Sequence, residues 1–166
     1  MTHRFTVKAQ IHNVSIDEFS KLAADPVMHE KVAKRIPGED IQIHESKIEN
    51  SIYTLKRSYN LEVNIPDIAK KLLKDAFRLK RTDITDLNSL SSTVDLGANI
   101  PLEAHCERLV TGDQQHLNIQ LIWVVKVKLP LIGGMLEKHA ENEIRRFSEI
   151  EIAIVEDELK TQLNRH

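Results

Sequence analysis

From Leu117 to Leu129 the chain alternates. Leu117, Ile119, Leu121, Trp123, Val125, Val127 and Leu129 share one face of an extended backbone, while Asn118, Gln120, Lys126 and Lys128 share the other. A two-residue period sustained this long specifies a strand with one face on a core. Pro130 and Gly133-Gly134 follow at once, and the period then becomes helical as far as about Leu163. The apolar stripe of that helix is Leu136, Ala140, Ile144, Phe147, Ile150, Ile154, Val155 and Leu159, with acidic residues crowding much of the remainder. At 1.5 Å per residue it is about 45 Å long, enough to cross a whole small sheet. A half-buried strand running straight into a half-buried helix requires that sheet and helix cover each other.

The remaining segments supply the sheet. Phe5, Val7, Ala9 and Ile11 alternate with Arg4, Thr6, Lys8 and Gln10, a first strand. Ser15 and Glu18 form a capping box that opens a short helix to about Ala24. Asp25-Pro26 restarts a second short helix, which Pro37 and Gly38 end. Strands are expected over 41–48, 52–63, 77–87, 90–97, 103–110 and 117–129, separated by turn signals such as Glu49-Asn50 and Thr111-Gly112-Asp113. Short connections favour antiparallel hairpins. Between Ile65 and Ala76, Ile65, Ile68, Ala69, Leu72, Leu73 and Ala76 recur at helical spacing opposite Lys70, Lys71 and Lys74, an amphipathic helix started by Pro66. The whole reads as a single α+β domain over 1–166: a curved antiparallel β-sheet wrapped around a long C-terminal helix, with two short helices after the first strand.

Composition removes several function classes. A net charge of −2, from 23 basic and 25 acidic residues, gives no global field for nucleic acid. The single Cys106 can build neither a disulfide framework nor a multi-cysteine zinc site. No stretch approaches a membrane span, and Met1-Thr2-His3-Arg4 runs into the first strand without an apolar secretory segment, so a soluble cytoplasmic protein is expected. The near-neutral total hides two patches: a basic one over 67–81 (Lys70, Lys71, Lys74, Arg78, Lys80, Arg81) and an acidic one over 137–158. The basic segment has two readings, a helix that packs its apolar side and leaves its lysines in water, or a lid over 66–76 that touches an anionic membrane transiently.

The order of elements resembles the helix-grip fold of the START and birch-pollen-allergen (SRPBCC) superfamily, and locally an uncharacterised START-like family of bacterial proteins of unknown function. The residues that carry the likeness are Val125-Lys126-Val127-Lys128-Leu129-Pro130-Leu131-Ile132-Gly133-Gly134, Glu137-Lys138 and Glu143-Ile144-Arg145-Arg146, supported by Pro66 and Lys70-Lys71-Leu72 ahead of Lys80-Arg81-Thr82-Asp83. The resemblance implies an apolar cavity between sheet and helix. Trp123 stands where that family has a small residue, and so partly fills such a cavity.

Catalytic motifs are sparse. His105-Cys106-Glu107 has the His-x-Glu of zinc deaminases without their Cys-x-x-Cys. His139 and Glu143 stand four apart on the long helix with no third ligand in view, so a solvated or salt-bridged pair is expected rather than a metal. No nucleophile elbow, Walker loop or dinucleotide fingerprint occurs, and no cofactor is expected. Cys106 reads as a small buried hydrophobe.

Polar residues on apolar strand faces say more. Tyr53, Leu55, Arg57, Tyr59, Leu61 and Val63 share a face, as do Phe77, Leu79, Arg81 and Asp83, so Arg57 and Arg81 point inward by parity. A guanidinium in a low-dielectric interior needs a partner. One account is a buried Arg–Asp pair, or a bulge that turns Arg81 outward. The other is a cavity holding a polar head group at Arg57, Arg81, Tyr53 or Tyr59, with Leu121, Trp123, Ile144 and Phe147 around an apolar tail. The expected function is binding or transfer of a small apolar or amphipathic, lipid-like ligand. A cyclase, dehydratase or isomerase is the alternative, and it needs Asp83, His105 or Tyr59 to converge as an acid–base pair.

Overall fold

The computed structural model describes residues 2–61, 66–70 and 78–165. Strand β1 (His3–His12) leads into helices α1 (Ile16–Ala23) and α2 (Pro26–Arg35). Both helices start as their first residues dictate. The Ser15 hydroxyl accepts from the Glu18 amide at 3.1 Å while the Glu18 carboxylate accepts from the Ser15 amide at 3.0 Å, and Asp25 caps α2 with Pro26 at its first position. Then come β2 (Glu39–Glu49), β3 (Ile52–Asn60), the single turn α3 (Asp67–Lys70), β4 (Arg78–Asp86), β5 (Ser92–Ala98), β6 (Leu102–Gly112), β7 (His116–Val127) and the long helix α4 (Gly133–Gln162).

The strands form one sheet in the order β1-β7-β6-β5-β4-β3-β2, every neighbouring pair antiparallel. From β2 to β7 each strand pairs with its successor in the chain, and β1 closes against β7, so α1 and α2 carry the chain from one sheet edge to the other. Four spacings of about 4.8 Å separate β1 from β4, roughly 19 Å. Even so, α4 reaches both: Arg145 donates to the Thr6 carbonyl of β1 at 3.0 Å, and Glu151 accepts from Arg81 of β4 at 3.0 Å. Those two helix residues are about 9 Å apart along the axis, so the sheet must bend around the helix. This is the helix grip expected from the sequence.

Two residues fix where the helix starts. A side chain on Gly133 would place its Cβ 2.7 Å from the Val127 carbonyl oxygen, so the first turn of α4 can press on the end of β7 only without one. The buried Glu137 carboxylate accepts from the Val127 amide at 2.9 Å, one turn further on. At its far end α4 is held to α2 by Arg35, which donates to Asp157 at 2.7 Å and Glu158 at 2.8 Å.

The core is lopsided. Phe5, Val7, Ile11, Leu117, Ile119, Leu121, Val125 and Leu159 belong to one large cluster on the β1–β7–β6 side, against two small clusters, around Tyr53 and Tyr59, on the β3–β4 side. Space remains beside the smaller clusters. The amphipathic helix expected over 65–76, with its lysines and its membrane contact, falls mostly outside the described residues. Inside them, Asp67–Lys70 forms one helical turn after Pro66. Among the described residues no helix is long and apolar enough to cross a membrane.

Candidate functional site

The antiparallel register sets Arg57 of β3 directly opposite Arg81 of β4, both on the face toward α4. Like charges across a ladder repel, so this pair stands only if anions lie between. Asp83 supplies one, because a residue two positions along the strand returns to the same face. Arg81 grips it with two bonds, Nε to Oδ1 at 2.8 Å and Nη2 to Oδ2 at 3.0 Å. Glu151 of α4 supplies the other, accepting from Arg81 Nη1 at 3.0 Å and lying 3.5 Å from Arg57 Nη2. Arg108 of β6 adds a third cation, its Nη1 3.7 Å from Asp83 and its Nη2 donating to the Ser92 hydroxyl at 3.0 Å. No bulge turns Arg81 outward, since the β3–β4 register runs unbroken from Ile52 to Asn60.

Burial by itself would raise the Asp83 pKa, but the charges of Arg81, Arg57 and Arg108 outweigh it and hold the carboxyl well below the usual range. Glu151 is lowered on the same balance, burial against Arg81 and Arg57. Both stay ionised. Arg57 is the least satisfied member. It is 3% exposed; its Nη2 lies 3.8 Å from Asp83, and its Nε and Nη1 have no hydrogen-bond partner among the described residues.

Two adjoining cavities flank this cluster. The outer one, about 150 Å³, is mainly apolar, bounded by Tyr59, Leu79, Leu96, Leu136, Ile144 and Phe147, with Pro66 among its walls. The inner one, about 100 Å³, is bounded by His29, Tyr53, Arg57, Asp83, Arg108 and Leu121, among others. Arg81, Trp123, Ser148 and Glu151 line both, so the indole and the Arg81–Glu151 bridge form the partition. Trp123 stands between the two spaces. Its indole Nε1 is buried with no hydrogen-bond partner among the described residues.

Of the residues singled out from the sequence, Tyr53, Arg57 and Leu121 line the inner cavity, Tyr59, Ile144 and Phe147 the outer, and Arg81 and Trp123 both. The acid–base set does not assemble. His105 has the opposite parity to buried Cys106 and lies half-exposed on the outer face, with Nδ1 2.7 Å from Asp95. Asp83 is locked as a carboxylate between arginines, and Tyr59 lines the other cavity. His139 and Glu143 both border the outer cavity, and Glu143 accepts from Arg146 at 2.6 Å. Among the described residues no three His, Cys, Asp or Glu side chains group as metal ligands. Cys106 is fully buried, and burial pushes its thiol up to about 12.

Sequence reasoning missed Arg108, Glu151 and His29. Arg108 has the inward parity of Ala104, Cys106 and Val110, and Glu151 stands midway in the apolar stripe, four residues from both Phe147 and Val155. Those signals were available. His29 stacks on Tyr53 with centroids 4.4 Å apart, its Nε2 donates to the Ala23 carbonyl at 2.8 Å, and burial drives it toward the neutral form.

A family described as protein of unknown function (DUF2505) matches residues 6–157. The chain belongs to that family. No curated protein matches it. Among solved structures, this DUF2505 chain is similar to the Zhui aromatase/cyclase from Streptomyces sp. R1128, with a TM-score of 0.68 at 11% identity over 98% of this chain and 96% of that one. The norcoclaurine synthase from Thalictrum flavum follows at 0.61 and 14%, over 100% and 88%. A START superfamily protein from Mycobacterium smegmatis also scores 0.61, at 12% identity over 96% and 99%. At such identities the likeness is one of fold. The DUF2505 chain shares the helix-grip fold of these proteins, and the chemistry of its interior must come from its own residues.

Proposed function

We propose that this protein binds a small apolar or amphipathic molecule between the curved sheet and α4, as a carrier rather than a catalyst. The observation that carries the reading is the outer cavity, about 150 Å³ of mainly apolar space at the centre of the grip. A cavity of about that volume in a protein core is enough to take up a benzene-sized molecule. Buried space of this kind forfeits packing contacts, and a ligand restores them. The scattering of Asp83, His105 and Tyr59 leaves the acid–base alternative without a geometric footing. Pro66, at the start of the basic segment, lines the outer cavity, and a membrane contact through that segment would suit ligand exchange.

Trp123 is the chain's single tryptophan and borders both cavities, so it reports occupancy. Titration with the neutral apolar dye N-phenyl-1-naphthylamine should quench Trp123 emission saturably by energy transfer. Native mass spectrometry should show the dye bound one to one. A linear, unsaturable response with no mass shift would defeat the proposal.

A further inference from the structure

We propose that the ligand is a monoanion whose carboxylate-type head group seats on Arg57 in the inner cavity, its apolar body passing Trp123 into the outer one. This rests on the cavity-binding reading and adds the ligand's charge and orientation to it. The first argument is charge. Arg57, Arg81 and Arg108 face Asp83 and Glu151, three cations against two anions in one cluster whose centre, Arg57, Arg81 and Asp83, is buried, and burial holds the neighbouring His29 toward neutrality. A cluster out of balance by one positive charge accepts one negative charge.

The second argument is hydrogen bonding. Arg81 has taken both Asp83 oxygens and one oxygen of Glu151. Arg57 approaches the same carboxylates only through Nη2, at 3.8 and 3.5 Å; its guanidinium carbon lies 5.9 Å from the centre of the Tyr59 ring, and its Nε and Nη1 have no hydrogen-bond partner among the described residues. Buried donors of that strength are rarely left unpaired. Tyr53, Thr85, Arg108 and His29, which also line the inner cavity, are committed elsewhere. Tyr53 bonds Ser46, Thr85 bonds Ser92, Arg108 bonds Ser92, and His29 bonds the Ala23 carbonyl. Each edge of the Arg57 guanidinium, Nε with Nη2 or Nη1 with Nη2, offers a carboxylate one uncommitted nitrogen beside one already shared.

The third argument is size and path. The inner cavity, about 100 Å³, suits a carboxylate and little more, and the mainly apolar space of about 150 Å³ lies on the other side of Trp123. The unpartnered Trp123 Nε1 borders both, a further donor where a polar head passes inward. A doubly charged phosphate would overturn the charge balance instead of closing it.

Calorimetric titration with octanoate, 1-octanol and acetate at neutral pH tests this, with Trp123 emission as a second readout. Octanoate should bind at least about tenfold tighter than 1-octanol, and Arg57→Met should bring that ratio to within about threefold of unity. Equal affinities for acid and alcohol, or a preference that survives Arg57→Met, would overturn the head-group assignment and leave the cavity reading standing. Acetate matching octanoate would identify a free-anion site and overturn the amphiphile. If neither octyl compound binds while the neutral dye does, the head-group assignment alone fails; if the dye fails too, both fall. Should Arg57→Met not fold, carboxyl-labelled ¹³C octanoate on the wild-type protein decides: the bound carboxyl should titrate at least about one pH unit below the free acid, and a midpoint at or above it refutes the ion pair.

Discussion

Replacing Asp83 with asparagine tests the ion cluster at its centre. Asp83 is 5% exposed, gripped by Arg81 at 2.8 and 3.0 Å and flanked by Arg57 and Arg108 at 3.8 and 3.7 Å. Asparagine keeps the volume and removes the charge, so the cluster's imbalance rises from one positive charge to two. Removing one partner of a buried ion pair costs about 3–5 kcal/mol. With a urea slope of about 2 kcal/mol per molar, the unfolding midpoint of Asp83→Asn should fall by about 1.5–2.5 M. Arg81→Met with Asp83→Leu restores the original imbalance with apolar groups of similar size. The double variant should therefore be more stable than Asp83→Asn alone.

The pH dependence carries the same signature. Asp83 and Glu151 have carboxyl pKa values lowered in the folded protein. Their stabilisation is complete above the ordinary carboxylate range and is lost as pH falls toward the folded values, because the unfolded chain then binds protons that the folded one refuses. Below about pH 4 each group contributes a slope of about 1.4 kcal/mol per pH unit, so the acid limb of Asp83→Asn should be shallower by that amount. Urea melts from pH 7 to 3 measure both effects. A midpoint shift under about 0.5 M at pH 7 together with an unchanged acid limb would show that the cluster is hydrated and the reasoning wrong.

Cys106, with its thiol pushed up to about 12, should react with an aromatic disulfide reagent at pH 8 more than about a thousandfold slower than in the urea-unfolded chain; comparable rates would place it outside the core. Gly133→Ala should lose about 1–3 kcal/mol as its Cβ meets the Val127 carbonyl at 2.7 Å, and an unchanged melting temperature would refute that close approach. Trp123→Ala should lose about 3–5 kcal/mol and, by widening the junction of the two cavities, bind the neutral dye with brighter dye emission; unchanged dye capacity would show that the indole does not bound the space the dye fills.

Much of this molecule is legible from local pattern. The alternation of β7, the capping box at Ser15 and Glu18, and the stripe of α4 each fix an element, because strand and helix periods are properties of a few neighbouring residues. Parity alone also turns Arg57, Arg81 and Asp83 inward. What local pattern omits is who meets them. Glu151 reaches Arg81 across seventy positions of chain, and Arg108 comes from two strands away, so neither contact leaves a periodic trace. Residue type alone was a weaker guide. His105 looks catalytic by composition, yet its parity, opposite to that of Cys106, sends it to the outer face beside Asp95.

The cluster itself argues for a ligand. Apolar residues at 57, 81 and 83 would fill the same volume, and exchanges of that kind are often neutral or stabilising, so stability does not explain three inward arginines. Fold specificity does not require them either, since the continuous register of β3 on β4 and the apolar stripe of α4 already place every element. What the arginines supply is donors: two buried nitrogens of Arg57 without a hydrogen-bond partner among the described residues, beside a cavity, while Arg81 is bonded to Asp83 and Glu151. A chain that is locally consistent almost everywhere breaks its own rule at this point. The break lies where β3 and β4 border the cavities, while Ile11, Leu117 and Val125 in the large core cluster are fully buried. Packing on one side therefore stabilises the fold, and the unsatisfied charge on the other is what an acidic head group would complete.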